Sequence, residues 1–188
     1  MINIPKIKRP KKDIIEKIKN LGSATVSGTL YGMGISNPFI MGPTTKTPGK
    51  SVAGPAITLQ FLPKREDIYN EDEYSDPELQ LHRHALYQTE PGDIVVVDAM
   101  GDMTSGVFGE MMLTFFQGRG GAGVVIDGCI RDFVHAQDLE IGMWLKGVTP
   151  NFHTQTNKYP HAVNIPISCG GTLVCLLYTS DAADDVAS

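Results

Sequence analysis

An α/β fold with parallel strands is predicted from three features of residues 91–132. Residues 94–98 (IVVVD) are short, apolar and β-branched, and they follow a Pro-Gly turn, which is typical of a buried strand. Residues 110–117 (EMMLTFFQ) contain good helix formers and end in a glycine-rich stretch. Residues 124–127 (VVID) are a second short apolar run. This order predicts a β-loop-α-β unit whose two strands are parallel.

The lengths of this unit predict where its polar residues meet. The helix would rise roughly 12 Å at about 1.5 Å per residue, and the second strand would return roughly 16 Å at about 3.3 Å per residue. Glu110 begins the helix, and Arg131 and Asp132 follow the strand. All three are therefore expected on one rim, at the carboxyl end of the sheet, where open α/β folds bind ligands.

The residue types at this rim suit an oxo-acid and a divalent metal. Arg131 can give two parallel hydrogen bonds to a carboxylate. The N–H groups of Met111 and Met112, in the first turn of the helix, are expected to be free and to favour an anion. The carboxylates of Glu110 and Asp132 suit a hard divalent cation, directly or through water.

The same residues resemble the signature of a known family. Glu110, twenty intervening residues and Arg131-Asp132 resemble the acidic-x20-Arg-Asp signature of the RraA-like superfamily. The resemblance is greatest to its class II pyruvate aldolases, which act on 4-hydroxy-4-methyl-2-oxoglutarate or 4-carboxy-4-hydroxy-2-oxoadipate. The blocks PGDIVVVDAMGD, FGEMM, GAGVVIDGCIRD and GVTP are similar to family blocks, from about residue 25 to residue 174.

The resemblance implies a fold, an assembly and a reaction. The fold is an α/β domain of the swivelling β/β/α type, and the assembly is a homotrimer or a hexamer with sites near subunit interfaces. The reaction is a metal-dependent retro-aldol cleavage that yields pyruvate, with oxaloacetate decarboxylation as a side activity. The superfamily also includes non-catalytic regulators that bind a partner such as a ribonuclease. These regulators tend to lose the Asp after the Arg, whereas this chain keeps Asp132.

The resemblance also implies roles for individual residues. Arg131 would hold the substrate carboxylate and keto oxygen, with Gly109, Met111 and Met112 as further substrate contacts. Glu110 and Asp132 would hold Mg²⁺ or Mn²⁺ and take part in catalysis with Arg131. Independently of the resemblance, cleavage leaves a pyruvate enolate, which needs either a lysine Schiff base or a metal. Since no lysine lies in the predicted β-loop-α-β unit, the metal route is preferred.

The remaining chain is expected to form one domain with an additional segment at each end. Residues 1–22 would be a basic arm and a helix, and residues 23–174 the RraA-like domain. Residues 175–188 (CLLYTSDAADDVAS) are unlike the family and resemble translated sequencing-adapter read-through, so this tail is interpreted as non-native. Further elements are predicted in the domain, namely strands at residues 51–62, 142–148 (with Trp144 and Leu145 inward) and 164–168, and helices at residues 78–87 and 133–141.

The composition and net charge indicate a globular protein that does not bind nucleic acid. A chain of 188 residues with 41% hydrophobic content can bury a core, and its net charge of −5 gives no nucleic-acid footprint. The basic run at residues 6–12 is interpreted as a solvated arm.

No apolar stretch approaches the roughly 20 residues of a membrane span, so a cytoplasmic protein is expected. The three cysteines have no metal-type spacing and are expected to be reduced thiols.

The histidines and the acidic segment have weaker interpretations. His82 and His84, two positions apart on a predicted helix, would point in different directions, which disfavours a shared metal. His135 is either a proton carrier near Asp132 or a structural residue, and His153 and His161 are given no role. Residues 63–89 are acidic and are expected to be solvated or to lie over the mouth of the site, where they would influence substrate choice.

Overall fold

The computed structural model describes residues 4–65, 67 and 76–175. Four acidic residues of the segment predicted to cover the site mouth lie outside the described residues, namely Glu66, Glu71, Asp72 and Glu73. The predicted tail also lies outside them, apart from Cys175.

The described residues form five α-helices and eight strands. The helices are α1 (Lys12–Lys19), α2 (Ser23–Gly32), α3 (Leu81–Tyr87), α4 (Glu110–Gly118) and α5 (Phe133–Ala136). The strands are β1 (Thr44–Thr45), β2 (Ala56–Pro63), β3 (Ile94–Asp98), β4 (Gly123–Ile130), β5 (Gly142–Val148), β6 (Lys158–Val163), β7 (Ile167–Cys169) and β8 (Thr172–Val174). Short 3-10 turns occur at Pro77–Leu79 and His153–Gln155.

A six-stranded sheet in the order β1-β5-β4-β3-β2-β6 forms the centre of the domain. The four inner strands are mutually parallel, and β1 and β6 pair antiparallel at the edges. The predicted parallel pairing of the strands on either side of α4 is therefore confirmed. Parallel inner strands are covered on both faces, which explains their nearly continuous apolar sequences.

Different elements pack on the two faces of the six-stranded sheet. Alternate residues such as Leu59, Val97 and Ile126 are fully buried with side chains of α3 and α4 in the main core. The intervening residue Val96 packs in a second cluster with Ile167 and Cys169 of the β7–β8 hairpin. A helical layer, a large sheet and a small sheet agree with the predicted β/β/α fold.

Several predicted boundaries are corrected by the structure. The helix predicted at residues 78–87 is interrupted at Gln80, whose backbone is extended, and the helix predicted at 133–141 ends at Ala136. Leu145 is inward as predicted, whereas Trp144 lies on the opposite face and is only partly buried, because successive strand residues alternate.

The strand predicted at residues 164–168 is confirmed only at residues 167–168, where β7 begins. Asn164 has a φ of 56° and separates β6 from β7. Asparagine tolerates this left-handed conformation, and its side chain donates to the Pro5 carbonyl and to Gln88. A separate strand, β6, lies upstream, where Pro160 is tolerated because β6 is an edge strand with a register shift against β2.

The N-terminal arm is attached to the domain rather than solvated along its whole length. Arg9 donates two hydrogen bonds to the fully buried Asp93, at 3.0 and 2.7 Å, and one to the Gln88 carbonyl at 2.9 Å. Ile4 and Ile7 pack against the main core. The interpretation of this run as a solvated arm is therefore wrong for Arg9.

Two further expectations concern cysteines and membranes. The three cysteines are free thiols, and Cys129 and Cys169 are buried. Burial raises the pKa of Cys169 to about 12, which keeps it protonated. Within the described ranges, no helix has the length and apolar character needed to span a bilayer.

Gly121→Ala is expected to destabilise the fold, with Gly118→Ala as the matched control. A Cβ at Gly121 would overlap the buried ring of Phe116, whereas a Cβ at Gly118 would meet no atom within 4 Å. Overpacking costs roughly 1–3 kcal/mol, while Gly118→Ala should be neutral or stabilising by up to about 1 kcal/mol. Urea unfolding followed by the fluorescence of Trp144 measures both. Equal stabilities of the two variants would contradict the packing at Gly121.

Asp93→Asn is expected to reduce the free energy of unfolding by roughly 2–3 kcal/mol, since it removes the buried counter-charge of Arg9 and leaves only the exposed carboxylate of Glu90, 3.0 Å away. The control is Asp67→Asn, because the Arg65–Asp67 pair is exposed and should not contribute measurably. Thermal and urea unfolding of both variants test the attachment of the arm. An Asp93→Asn variant as stable as the wild type would show that the arm is not held by this pair.

Candidate functional site

The loop before α4 is joined by backbone hydrogen bonds to the end of β4. The N–H of Val107 donates to the Cys129 carbonyl at 3.0 Å, and the N–H of Arg131 donates to the Phe108 carbonyl at 2.9 Å. On its other side, the N–H of Gly106 donates to the Asn151 carbonyl at 2.9 Å. The start of α4 is thereby fixed beside the residues that follow β4.

Gly109 is the point of closest approach between these segments. A Cβ at this position would lie 2.7 Å from Oδ2 of Asp132 and 2.8 Å from Nε of Arg131. Nε of Arg131 and Oδ2 of Asp132 are 3.6 Å apart, and their side chains are 40% and 48% exposed. The structure thus brings Arg131 and Asp132 to Gly109, immediately before Glu110, as the length argument predicted.

The first turn of α4 differs from the prediction at Met112. The N–H of Met112 donates to the Gly109 carbonyl at 3.2 Å, so the expectation of a free N–H is wrong for Met112. Within the described part of the chain, the N–H of Met111 makes no hydrogen bond. The Met111 side chain is 83% exposed, whereas the Met112 side chain packs partly against the main core. Glu110 accepts a hydrogen bond from Thr114 at 2.6 Å.

Asp132 has an unusual backbone conformation. Its φ of 58° and ψ of 30° are left-handed, and it is the N-cap position of α5. Non-glycine residues adopt this region at a cost, with aspartate and asparagine among the most tolerant, and such residues cluster at functional sites. This turn directs the chain away from β4 and leaves the Asp132 carboxylate beside Gly109.

A cavity of about 740 Å³ opens beside this cluster, between α3, α4 and the segment around His153. Its wall includes Arg131, Gly109, Glu110, Met111 and Met112. The volume lies in the range of roughly 300–1,000 Å³ that is typical of small-molecule sites. Five of the six predicted site residues therefore share one cavity, and the sixth, Asp132, contacts its rim through Arg131 and Gly109.

Two histidines in this cavity were not identified from the sequence. His82 of α3 is 3% exposed and His153 is 2% exposed, and their ring centroids are 4.5 Å apart in an edge-to-face arrangement. Nδ1 of His82 has no hydrogen-bond partner among the described residues, which costs about 1–3 kcal/mol for a buried polar atom. Burial, together with the charges of His153 and Arg83, lowers the pKa of His82 well below its usual value.

The other histidines lie elsewhere. His84 does point away from His82, and its ring bonds to the Glu78 carbonyl at 2.7 Å. His135 is exposed and does not line the cavity, so the structure gives no support to its role as a proton carrier. The contact between His82 and His153 could not be predicted from the sequence. The two residues are far apart in the chain, and the packing of α3 against the 3-10 turn brings them together.

The carboxylates of Glu110 and Asp132 determine which metal ion this rim could bind. Among the described residues, no three potential ligands of the His, Cys, Asp or Glu type are grouped together. Glu110 and Asp132 alone would suit Mg²⁺ or Mn²⁺, because such ions bind through one or two carboxylates, several waters and the substrate. The same pair does not fit a structural zinc site, which requires four protein ligands.

Comparison with curated proteins gives matches to part of the chain. A protein of Halalkalibacterium halodurans named "Putative 4-hydroxy-4-methyl-2-oxoglutarate aldolase" is 38% identical over 87 residues, which are 46% of this chain and 40% of that protein. A protein of Arabidopsis thaliana named "Putative 4-hydroxy-4-methyl-2-oxoglutarate aldolase 3" is 31% identical over 94 residues, 50% of this chain and 55% of that protein. The matches span about half of these relatives.

Comparison with solved structures supports the fold over a longer region. The crystal structure of Streptomyces coelicolor RraAS2, described as an unusual member of the RNase ES inhibitor RraA protein family, superposes with a TM-score of 0.78. It is 35% identical and covers 89% of this chain and 79% of its own. The family profile described as RraA-like, Aldolase/RraA, matches residues 23–176. Because this profile covers most of the sequence, the chain belongs to the RraA-like family.

Proposed function

We propose that this protein is a divalent-metal-dependent lyase that cleaves a 4-hydroxy-2-oxo acid, such as 4-hydroxy-4-methyl-2-oxoglutarate, to pyruvate. The observation that carries the proposal is the position of Arg131 and Asp132 against Gly109, at the start of α4 and beside a cavity of about 740 Å³. Two relatives named as putative aldolases of this substrate support it.

The proposed reaction develops negative charge on the C2 oxygen of the substrate. The C4 hydroxyl loses its proton, and its oxygen forms a carbonyl with C4 as the C3–C4 bond breaks and the C4 fragment is released. The electron pair of the broken bond moves toward the C2 oxygen to give the enolate of pyruvate. Protonation at C3 then completes pyruvate. Mg²⁺ or Mn²⁺, when bound, would supply Lewis-acid stabilisation of this charge. Loss of CO₂ from oxaloacetate gives the same enolate, so oxaloacetate decarboxylation is proposed as a side activity.

The residues at the rim have complementary roles in this proposal. The Arg131 guanidinium would donate hydrogen bonds to the C1 carboxylate and the C2 oxygen, because its fork matches two neighbouring oxygens. The unpaired N–H of Met111, at the positive end of the helix dipole, would contact the same carboxylate, with Gly109 leaving room for it. Glu110 and Asp132 would hold the metal.

The N–H of Met112 is less available than that of Met111 for a contact with the substrate. It already donates to the Gly109 carbonyl at 3.2 Å. A substrate contact from Met112 would therefore require that this bond be shared or replaced when the acid binds. Met111 is the stronger candidate of the two for a backbone contact.

A non-catalytic regulator that binds a protein such as a ribonuclease is the alternative. It is favoured by the 35% identity to RraAS2 and by exposed apolar side chains in and after α2, including Tyr31 (71%) and Phe39 (69%). Metal binding separates the two functions, since a regulator does not require Mg²⁺ at Glu110 and Asp132. A homotrimer or hexamer is compatible with either function and is part of the proposal for both.

Arg131→Ala is expected to reduce kcat/KM for pyruvate release by about 100- to 1,000-fold, because one preorganised contact to a developing oxyanion contributes about 3–4 kcal/mol. Arg131→Lys should recover only part of this loss, because lysine has the charge without the fork. The assay follows pyruvate from 4-hydroxy-4-methyl-2-oxoglutarate and from oxaloacetate, with Mg²⁺ and with EDTA. Release that persists in Arg131→Ala or in EDTA would contradict the mechanism.

Asp132→Asn is expected to weaken Mn²⁺ binding at least tenfold without unfolding the chain. Asparagine tolerates the left-handed φ of 58° and removes only the negative charge. Glu110→Gln provides the parallel variant, and Glu78→Gln, an acidic residue outside the cavity wall, provides the control. Paramagnetic resonance of free Mn²⁺ measures the affinity. Unchanged affinity in both Asp132→Asn and Glu110→Gln would remove the metal from this rim.

A further inference from the structure

The cavity beside α4 is larger than a short 2-oxo acid requires. At about 30 Å³ for each water molecule of the liquid, its volume of about 740 Å³ accommodates on the order of 25 non-hydrogen atoms. By the same measure 4-hydroxy-4-methyl-2-oxoglutarate, with about 12 such atoms, fills roughly half of the cavity. The wall beyond the Arg131 rim therefore encloses space for a larger group.

Aromatic and apolar side chains form the part of this wall that lies between α3 and α4. Leu86 and Tyr87 come from the last turn of α3, and Phe115 comes from the middle of α4. The rings of Tyr87 and Phe115 meet edge to face, with their centroids 5.6 Å apart. These two rings, with the buried Leu86 beside them, are called the aromatic corner below.

The helix α4 connects the aromatic corner to the Arg131 rim. Met111 lies in its first turn, beside Arg131, and Phe115 lies four residues later on the same helix face. At about 1.5 Å per residue, Phe115 is roughly 6 Å further along the helix axis than Met111. An acid whose carboxylate is bound by Arg131 and the Met111 N–H can therefore place a ring on C4 against the aromatic corner.

The aromatic corner and its surroundings expose apolar surface to the cavity mouth. The Phe115 side chain is 43% exposed, and the Met111 side chain, one turn earlier, is 83% exposed. Removing such surface from water is favourable, and exposed apolar patches that adjoin a cavity are typical of binding sites. An apolar group of the ligand would cover both side chains, whereas a carboxylate there would gain nothing from them.

The second arginine of the wall, Arg83, is directed away from the aromatic corner. Its Nε donates to Oε1 of the buried Gln80 at 2.5 Å. Gln80 is the N-cap residue of α3, whereas Tyr87 is the last residue of the same helix. Side chains of a helix point toward its N-terminus, which agrees with this contact. The positive charge of Arg83 therefore lies toward the other end of α3 from Tyr87.

We propose that Tyr87 and Phe115 form an apolar subsite for the C4 substituent, so that the preferred substrate is a 4-hydroxy-2-oxo acid with an aromatic or similarly large apolar group at C4. The proposal rests on the lyase function above and names its substrate class. Cleavage of the C3–C4 bond leaves its electron pair on the pyruvate enolate, which is protonated at C3. The C4 hydroxyl loses its proton and becomes the carbonyl of an apolar aldehyde or ketone.

The test compares two substrates with one negative charge each that differ in the group on C4. These are 4-hydroxy-2-oxo-4-phenylbutanoate and 4-hydroxy-2-oxopentanoate, with 4-hydroxy-4-methyl-2-oxoglutarate as the charged comparison. The kcat and KM for pyruvate release are measured with Mg²⁺ on the 188-residue chain. Calorimetry with 2-oxo-4-phenylbutanoate and 2-oxopentanoate, which lack the C4 hydroxyl and cannot be cleaved in this way, measures binding separately from the reaction.

The variants change one ring of the aromatic corner. Phe115→Ala removes the ring, and Phe115→Leu keeps an apolar side chain. The matched control is Phe39→Ala, because Phe39 is 69% exposed and lies outside the wall of this cavity. Pyruvate release from 4-hydroxy-2-oxopentanoate should remain within about twofold in all three variants, since its methyl group does not fill the subsite.

The wild type should bind 2-oxo-4-phenylbutanoate at least about tenfold more tightly than 2-oxopentanoate, and should show the same preference in kcat/KM for the hydroxylated pair. Phe115→Ala should reduce this preference by about 3- to 10-fold, because the edge or face contact with the ligand ring is lost. Phe115→Leu should retain most of the preference, and Phe39→Ala should match the wild type.

Different outcomes separate this subsite from the proposed reaction. If pyruvate is released but the phenyl acid is no better than the methyl acid, or the charged acid exceeds both, the apolar subsite is wrong and the lyase stands. An unchanged preference in Phe115→Ala also overturns the subsite. If none of the three substrates gives pyruvate, the lyase proposal fails and the substrate class fails with it, whatever the two uncleaved acids bind.

Discussion

The pairing of the loop before α4 with the end of β4 is the constraint on which the site depends. Two backbone hydrogen bonds, from Val107 to Cys129 and from Arg131 to Phe108, hold these segments side by side. Without them, Gly109 and Arg131 would be connected only through the helix and the strand between them. The absence of a side chain at Gly109 then permits the approach of Arg131 and Asp132. The left-handed backbone of Asp132 is the local cost of turning the chain at this point.

Much of this arrangement was predictable because it follows from local sequence. The strands at residues 94–98 and 142–148 and the start of α4 at Glu110 agree with prediction, since short β-branched runs and good helix formers bounded by glycine leave few alternatives. The shared rim followed from element lengths alone. The resemblance to the RraA-like family supplied the sheet layering, which propensities cannot give.

The predictions from sequence were wrong where contacts between distant residues override the local sequence pattern. Asn164 interrupts a predicted strand because its amide bonds to Pro5 and Gln88, which are remote in sequence. Arg9 is fixed by Asp93 in the same way. The His82–His153 contact also depends on the return of the chain after β5. In each case the decisive partner is more than 70 residues away in the sequence, and no periodic pattern marks it.

The burial of His82 makes the stability of the fold depend on pH through one proton. Because its folded pKa is lowered below the usual 6.5, the neutral form is favoured in the native state, and its contribution to stability is present above pH 6.5 and is lost as the pH falls below that value. Among the described residues, Nδ1 of His82 also lacks a hydrogen-bond partner, and an unsatisfied buried polar atom costs about 1–3 kcal/mol. Protonation of the ring adds the cost of burying a charge. The buried His82 ring therefore destabilises the fold most in acid.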